Sequence, residues 1–431
     1  MRLRFLLMAA VLAGCASPSP PTPAAAPTAV TPEPRVAEPA PSAAAPILPP
    51  TASGDLIFDA WAADFRTRAL AGGIAPEVFA REMTGLTPDL RVAALDSRQP
   101  EFSKPVGDYL NGVVTSDRIM IGRRRATDMP QLAAIEQRFG VAREILLGVW
   151  ALESGFGSIQ GDYDTLRSLA TLAAQGRRRA WAEGELIATL QIIQSGEHPR
   201  SRLRGSWAGA MGQTQFIPST FLTTAVDQDG DGRRDIWSSS SDALASAASL
   251  LAKGGWVAGQ DWAREVIAPP GFDYGLTEGP KEPPGWWAAQ GVQRADGRLW
   301  SAADQIAKAQ LAAPAGAQGP LFLLFPNHFA IRKYNNSLAY ALGVGLLADR
   351  FAGGGGLVRA WPRETPLALM DRMTAQRALA ALGFDPGAPD GMVGFNTRAA
   401  LRAWQKARGL VADGYLSQDM VQRLKSDAGG A

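Results

Sequence analysis

A single carboxylate ends a strongly apolar stretch of this sequence. Residues 145–152 carry no charged side chain, and Glu153 follows them. On a helix, Glu153 shares a face with Ile145, Val149 and Leu152, so we expect its side chain to point toward packed protein. Desolvation raises the pKa of a carboxyl group, and a carboxyl that stays protonated near neutral pH can protonate the leaving oxygen of a glycosidic bond. The alternative is a glutamate at a helix end that reaches water.

A segment rich in small residues, 205–220, is the second candidate for chemistry. Its glycines and alanines allow a ligand to approach the backbone closely. The side chains of Ser206, Gln213 and Gln215 can hydrogen-bond sugar hydroxyls and N-acetyl groups. The alternative is a glycine-rich segment that serves only packing.

An acidic loop follows directly. Asp227, Asp229 and Asp231 stand at alternate positions before a glycine, which is the first half of an EF-hand calcium loop. Ser238 occupies position twelve, where an EF-hand has a bidentate glutamate, and the next acidic residue is Asp242. The pattern leaves both a calcium site and a metal-free turn open.

A third stretch places Tyr334, Asn335 and Tyr340 within two helical turns. It offers two phenols and an amide that can line a site. Read alone, such a helix start is more often structural than catalytic.

The composition predicts a large and mostly folded protein. The chain has 431 residues, of which 46% are hydrophobic and 19% charged, so two folded units are expected. The net charge is only +2, and no basic stretch alternates with aromatic residues. These features argue against nucleic-acid binding.

The N-terminus has the order of a secretory signal. Two arginines precede the apolar run 5–12, which is too short to span a bilayer. Leu-Ala-Gly-Cys at 12–15 resembles a bacterial lipobox, and Cys15 is the only cysteine. The resemblance implies removal of residues 1–14 and lipidation of Cys15. Because Ala16 follows and not aspartate, it implies anchoring at the periplasmic face of the outer membrane.

The rest of the chain divides into four parts. Residues 15–54 are almost all Pro, Ala, Ser and Thr, and predict an extended tether. Residues 55–358 are mainly helical with long connections, and they end in a glycine run. Prolines then predict a linker at 359–366, before a small C-terminal domain at 367–426.

The C-terminal domain is expected to have its own core. The pattern predicts helices at 374–382, 396–408 and 417–425, with Asn396 and Ser417 as N-caps. The expected interior residues are Leu379, Leu382, Phe384, Ala400, Leu401, Trp404, Leu410 and Leu424.

Together, the three stretches resemble the membrane-bound lytic murein transglycosylase B family over roughly residues 55–355. The resemblance implies a mostly α, lysozyme-like α+β core that acts on peptidoglycan between N-acetylmuramic acid and N-acetylglucosamine. It implies that Glu153 is the catalytic acid and base. The cleft residues that it implies are Ser206, Gln215, Tyr334, Asn335, Tyr340 and Tyr109.

The resemblance extends to the acidic loop and the C-terminal domain. It implies a structural Ca²⁺, although no cofactor for the reaction. The implied ligands are Asp227, Asp229, Asp231, the backbone carbonyl of Arg233, and Asp242. Residues 382–414 resemble the three-helix peptidoglycan-binding domain of cell-wall hydrolases, which would hold the enzyme on its polymer. A small structural appendage is the alternative.

The same resemblance implies a lytic reaction. An ordinary glycosidase needs two carboxylates, and no second acid accompanies Glu153 in its motif. In the implied reaction, the 6-hydroxyl of the muramic acid attacks the anomeric carbon, and a 1,6-anhydro sugar forms without water. Two alternatives stay open: a muramidase that admits water, and a non-catalytic lipoprotein that binds peptidoglycan. The expected setting is the periplasm of a Gram-negative bacterium, as a monomer or within a cell-wall complex.

Overall fold

The computed structural model describes residues 53–96 and 104–429. The predicted signal segment, Cys15 and nearly all of the tether lie outside the described residues. Within these ranges, no helix combines the length and the apolarity that crossing a bilayer requires.

The described chain up to residue 253 is mainly helical, with one short pair of antiparallel strands. Its strands are β1 (Tyr163–Asp164) and β2 (Arg204–Gly205). Its helices are α1 (Leu56–Ala71), α2 (Pro76–Met83), α3 (Leu90–Asp96), α4 (Val106–Val113), α5 (Ser116–Asp128), α6 (Gln131–Phe139), α7 (Arg143–Ser154), α8 (Thr165–Gln175), α9 (Arg179–Gln194), α10 (Pro218–Thr224) and α11 (Ser240–Lys253).

An antiparallel sheet follows, within a region where the sequence pattern indicates mainly helices. Its strands are β3 (Ala263–Ile267), β4 (Lys281–Glu282), β5 (Gln293–Arg294), β6 (Ala309–Ala312) and β7 (Leu321–Leu324), in the order β4-β6-β7-β3-β5. Two short helices lie between the strands in sequence, α12 (Pro284–Ala289) and α13 (Ala302–Gln305). The central strand β7 is buried along its whole length. The buried Trp287 of α12 donates a hydrogen bond to the carbonyl of Ala309 in β6, which fixes α12 to the sheet.

The chain then returns to helices. The remaining ones are α14 (Pro326–Tyr334), α15 (Leu338–Phe351), α16 (Leu369–Ala381), α17 (Phe395–Ala407) and α18 (Gln418–Gly429). The three predicted C-terminal helices are therefore present, but α16 begins earlier than expected. The predicted interior of this domain is buried, except that Leu382, Phe384 and Leu410 are only partly buried.

One of the two predicted N-caps is wrong. The helix α17 begins at Phe395 after Gly394, so Asn396 lies inside the first turn. Gly394 is the N-cap, and no side chain caps the first turn of this helix. The other cap is confirmed, since Ser417 Oγ accepts a hydrogen bond from the Met420 N–H at 3.3 Å.

Two hydrophobic clusters organise the helical region. One joins α7 to α5, α6, α11 and α15, and the other joins α1, α2, α8, α9 and α10. The helix α6 ends at Gly140, whose φ of 69° is left-handed, as the sequence predicts for a helix stop. The chain then enters α7, where Leu146 and Val149 are fully buried. The helix α7 is therefore the centre of its cluster.

The helices α7 and α15 are in close contact at Gly148. A Cβ atom at this position would lie 2.7 Å from the carbonyl oxygen of Val344 in α15, which is closer than such atoms normally come. Glycine therefore sets the distance between the two helices.

Gly148→Ala is expected to lower the free energy of unfolding by about 1–3 kcal/mol, because the added methyl group must push α7 away from α15. Urea denaturation measures the effect. Gly184→Ala is the matched control: Gly184 lies in α9 with no atom within 4 Å of its Cβ position, and alanine favours a helix by up to ~1 kcal/mol. Equal stability of the two variants would contradict the close contact.

Candidate active site

Glu153 lies in the last turn of α7. The face that it was predicted to share is packed, since Ile145 and Val149 are buried. Burial raises the pKa of the Glu153 carboxyl to about 7, while a hydrogen bond from Tyr340 acts in the opposite direction. Near neutral pH the carboxyl therefore populates both its protonated and its charged form.

Three tyrosines surround this carboxyl. The Tyr340 hydroxyl, on α15, donates a hydrogen bond to Glu153 Oε1 at 2.6 Å. The Tyr334 ring stacks on Tyr340 at 6.5 Å between ring centres, and its hydroxyl donates to the backbone carbonyl of Thr214 at 2.6 Å. Burial and the Glu153 charge raise the pKa of both phenols, and also that of Tyr109 on α4. All three phenols therefore stay protonated and can donate hydrogen bonds.

A left-handed turn ends α7 immediately after the site. The φ angles of Gly155, Phe156 and Gly157 are 57°, 60° and 84°. Phe156 is not a glycine, so its conformation costs about 1–3 kcal/mol, which its buried ring helps to offset by packing edge-on against Trp150. The turn places Glu153 at the end of the helix, where its side chain keeps some exposed surface.

The glycine-rich loop forms a second wall of hydrogen-bonding groups. Gln215 has a φ of 50°, and its Nε2 donates to the carbonyls of Gly212 at 2.8 Å and Gln160 at 3.0 Å. Ser206 Oγ accepts a hydrogen bond from the Ala210 N–H at 3.1 Å, which leaves the hydroxyl hydrogen for another acceptor. Both side chains are held in place by the loop itself.

Gln213, whose amide could hydrogen-bond a sugar, is instead bonded within the protein. Its side chain is only 5% exposed, with Oε1 accepting from Trp150 Nε1 at 3.0 Å and Nε2 donating to the carbonyl of Trp237 at 3.2 Å. Its own carbonyl accepts from Ser154 Oγ at 2.6 Å. Gln213 therefore ties the loop to α7. Sequence reasoning missed Trp150 and Ser154, although their helical spacing of four residues was an available signal.

Asn335 is the predicted cleft residue with the least support from the geometry. It is the exposed C-cap of α14, where its backbone N–H donates to the carbonyl of Ile331. Among the described residues, no hydrogen bond joins its side chain to Glu153 or to the tyrosines. Its role in binding stays a prediction.

The acidic loop brings three carboxylates together. Oxygen atoms of Asp227, Asp229 and Asp242 lie within 4.8 Å of one another. Asp242 is fully buried and accepts hydrogen bonds from the backbone N–H groups of Gln228 at 2.8 Å and Asp235 at 2.9 Å. Burial raises its pKa against these bonds. In the described chain no ion pair involves any of these three acids, so their charge lacks a cationic partner.

Asp231 is not among these converging carboxylates, and the part of the Arg233 carbonyl in the site stays a prediction. Asp231 Oδ1 accepts a hydrogen bond from the Arg233 N–H at 2.9 Å, and both residues are exposed. Three converging carboxylates are nevertheless the hard oxygen donors that Ca²⁺ prefers. The late acid Asp242 supplies what Ser238 does not, so the residues present fit the cation that the sequence predicts.

A helical core that holds one desolvated carboxyl against a tyrosine, beside a glycine-rich loop, defines a lysozyme-like protein of the SLT type. The chain belongs to the transglycosylase SLT domain family, whose model matches residues 57–349. A second family model, described as a peptidoglycan binding domain, matches residues 370–424. The family and the mostly helical, lysozyme-like fold predicted from the sequence are thereby confirmed.

Several solved structures resemble this chain. SltB3 from Pseudomonas aeruginosa in complex with NAG-anhNAM-pentapeptide is 48% identical, with a TM-score of 0.82 over 86% of this chain and 100% of that chain. Soluble lytic transglycosylase SltB1 from the same species is 28% identical, with a TM-score of 0.60 over 68% of this chain and 98% of that chain. The Escherichia coli lytic transglycosylase Slt35 in complex with calcium is 27% identical, with a TM-score of 0.58 over 68% of this chain and 92% of that chain.

A curated relative is similar over a shorter region. Membrane-bound lytic murein transglycosylase B of Escherichia coli strain K12 is 34% identical over 221 residues, which are 50% of this chain and 58% of that protein. The chain thus matches little more than half the length of this relative.

The raised pKa of Glu153 predicts that the protein loses stability as the pH rises. Its folded pKa of about 7 exceeds the ordinary value of 4.5, so the folded state holds an extra proton and stability falls as pH rises through this range. Glu153→Gln is expected to raise the free energy of unfolding by about 3 kcal/mol at pH ~8 and to change it little at pH ~4. Urea denaturation at both pH values measures this difference.

Glu136→Gln is the control for loss of a charge, because Glu136 lies on the exposed side of α6 with its side chain 40% exposed. A stabilisation of Glu153→Gln that is the same at both pH values would contradict the raised pKa.

Proposed function

We propose that this protein is a lytic murein transglycosylase, which cleaves the bond between N-acetylmuramic acid and N-acetylglucosamine in peptidoglycan and forms 1,6-anhydro-N-acetylmuramic acid. The observation that carries the proposal is the single desolvated carboxyl of Glu153. Among the described residues, no second carboxyl group hydrogen-bonds to Glu153 or to Tyr334 and Tyr340. Most glycosidases that use water need two carboxylates.

One carboxyl group is sufficient when the substrate provides its own nucleophile. Protonated Glu153 donates its proton to the glycosidic oxygen as the bond to the muramic acid C1 breaks. The resulting carboxylate then takes the proton of the 6-hydroxyl, whose oxygen attacks C1. Glu153 ends protonated, as it began, and no water is consumed. The attack is favourable because the hydroxyl belongs to the same sugar.

The tyrosines determine which oxygen of the Glu153 carboxyl exchanges the proton. Tyr340 occupies Glu153 Oε1, so Oε2 is the oxygen that exchanges the proton with the substrate. Tyr334 fixes Tyr340 by stacking on its ring and fixes itself to the loop through Thr214. We assign sugar contacts to Tyr109, Gln215, Ser206 and Asn335.

The relatives support this substrate class and product. SltB3, at 48% identity, was solved with NAG-anhNAM-pentapeptide and with NAG-NAM-pentapeptide. The Escherichia coli relative at 34% identity is a lytic murein transglycosylase by name. The match to a peptidoglycan binding domain supports the same polymer as the partner of residues 370–424.

Mass spectrometry of muropeptides tests the proposal. The protein without residues 1–54 is incubated with purified peptidoglycan, beside Glu153→Gln. Released products are expected to be about 18 Da lighter than their reducing-end equivalents, because no water is added. Glu153→Gln is expected to release none of them, since the glutamine amide has no proton acidic enough to transfer to the leaving oxygen.

The other outcomes identify the alternatives. Products with hydrated reducing ends would mean a muramidase that admits water. A wild-type protein that sediments with peptidoglycan and releases nothing would mean a binding lipoprotein. Glu136→Gln controls for a general effect of charge removal, and it is expected to retain the wild-type products.

The same proposal includes a structural Ca²⁺ held by Asp227, Asp229 and Asp242. The ion would neutralise three acids that otherwise repel one another and would brace the loop ahead of α11. The calcium complex of Slt35, at 27% identity, supports this choice of ion. Asp231 and the carbonyl of Arg233 would complete the site.

Calcium is therefore expected to stabilise the protein. An ion present at 100 times its dissociation constant adds about 2.7 kcal/mol to the free energy of unfolding. Thermal unfolding in Ca²⁺ against EDTA measures the shift, which Asp242→Asn should abolish and Asp231→Asn should reduce. Equal melting temperatures of the wild type in Ca²⁺ and in EDTA would contradict the site.

The proposed location is the periplasm, with a lipid anchor on Cys15 at the outer membrane. Its support is the lipobox-like sequence at 12–15, which lies outside the described residues. Residues 15–54 have the composition of an extended tether, which would allow the anchored enzyme to reach peptidoglycan.

A further inference from the structure

The C-terminal domain, taken here as residues 367–429, is bonded to the sheet region. Asp413 Oδ2 accepts a hydrogen bond from the backbone N–H of Ala317, in the turn between β6 and β7, at 2.9 Å. The other oxygen of Asp413 accepts from Gln405 Nε2 and from the Tyr415 N–H, each at 2.9 Å. Both carboxylate oxygens are therefore used within the chain, one for each side of the junction.

Two further contacts hold the C-terminal domain, one to the sheet region and one to the linker. Arg398 of α17 pairs with Glu278, which precedes β4, at 2.8 Å. The Tyr415 hydroxyl donates a hydrogen bond to Glu364 at 2.5 Å. These two and the Asp413 bond to Ala317 are called the docking contacts below.

Glu278 takes up a strained backbone conformation at its docking contact. Its φ is 63°, a left-handed angle that side chains other than glycine adopt at a cost. Its backbone N–H donates to the carbonyl of Leu311 in β6, and its carboxylate meets Arg398. Glycine would adopt this φ angle without strain. A glutamate therefore stands where the backbone favours glycine, and its side chain forms the ion pair with Arg398.

Gly316 allows the two surfaces to touch. Its φ is 62°, and a Cβ atom there would lie 2.5 Å from Asp413 Oδ2 and 2.6 Å from the Tyr415 Cβ. Any side chain at this position would collide with the C-terminal domain.

The segment that joins the two domains is also held. Glu265 of β3 accepts hydrogen bonds from the backbone N–H groups of Val358 at 2.7 Å and Arg359 at 2.8 Å. The Trp361 ring stacks on Phe322 of β7 at 6.1 Å between ring centres. The sequence predicts only a proline-rich linker here, but the segment is fastened to the sheet before Glu364 reaches Tyr415.

A cleft of about 610 Å³ runs beside the docking contacts, with Gln318 and Arg363 on one side and Met420 and Arg423 on the other. The hydrophobic clusters of the sheet region and of the C-terminal domain share no residue, so we expect the docking contacts to fix the relative position of the two domains.

We propose that the docking contacts make the C-terminal domain a fixed part of the catalytic unit, which presents bound peptidoglycan to Glu153 in one orientation. A domain on a flexible tether would only raise the local concentration of polymer. The inference rests on the proposed function for its substrate. The docking contacts themselves do not depend on that function.

The test uses Gly316→Ala and Gly297→Ala in the full-length protein. Both glycines are left-handed, with φ of 62° and 68°, so both substitutions introduce similar backbone strain. Only Gly316 faces the other domain, since no atom lies within 4 Å of the Gly297 Cβ position. The readouts are amide hydrogen exchange of residues 311–324 and 411–417, and release of muropeptides from intact peptidoglycan and from a short soluble fragment.

Gly316→Ala is expected to speed exchange at the junction relative to Gly297→Ala. Release from intact peptidoglycan should fall roughly tenfold, because the two domains no longer engage one polymer in fixed geometry. Cleavage of the short fragment should be unchanged, because the catalytic domain alone can bind it. Junction exchange that is equal in the two variants would overturn the docking, and equal release from intact peptidoglycan would overturn its role.

A charge reversal keeps the test informative if Gly316→Ala fails to fold. Arg398→Glu places two carboxylates together and should speed exchange at the junction, and the added Glu278→Arg should restore protection. No rescue by the double variant would overturn the contribution of this pair. A wild-type protein that releases no product would contradict the proposed function, while the exchange data would still decide whether the domains are docked.

Discussion

The hydrogen bond between Tyr340 and Glu153 joins α15 to α7, and the candidate active site depends on how closely these two helices approach. Gly148 permits that approach, because any larger residue would meet the Val344 carbonyl. The same packing that brings the phenol within 2.6 Å of the carboxyl also removes the carboxyl from water. One constraint thus provides both the partner of the acid and its raised pKa.

The glycine-rich loop is built around the same pair. Gln213 and Ser154 fasten the loop to the end of α7, and Tyr334 fastens it to α14 through the Thr214 carbonyl. Because each of these bonds is buried or partly buried, breaking one leaves a polar group without a partner, which is costly. The strained residues Phe156 and Gln215 persist because this network fixes the backbone around them.

Much of the site could be predicted from residue types and spacing. The apolar face of α7 indicated that Glu153 is desolvated, and alternating aspartates indicated a loop of converging carboxylates. Residue type alone left the role of Gln213 open, because an amide can bind a sugar or a neighbouring side chain equally well. The Asn396 cap was wrong because Gly394 starts the helix by backbone conformation alone. The sheet between 263 and 324 was not predicted, since its strands are short and two of them have only two residues.

By itself, the sequence determined the helical core, the single acid at the end of α7, the acidic loop and the separate C-terminal domain. Each of these follows from local periodicity or from residues close together in the chain. Only the tertiary structure decided that Tyr340 is the residue that holds Glu153 and that Asp413 reaches Ala317. These pairings join residues 96 and 187 positions apart in the chain, and no local pattern specifies which side chains will meet across packed elements.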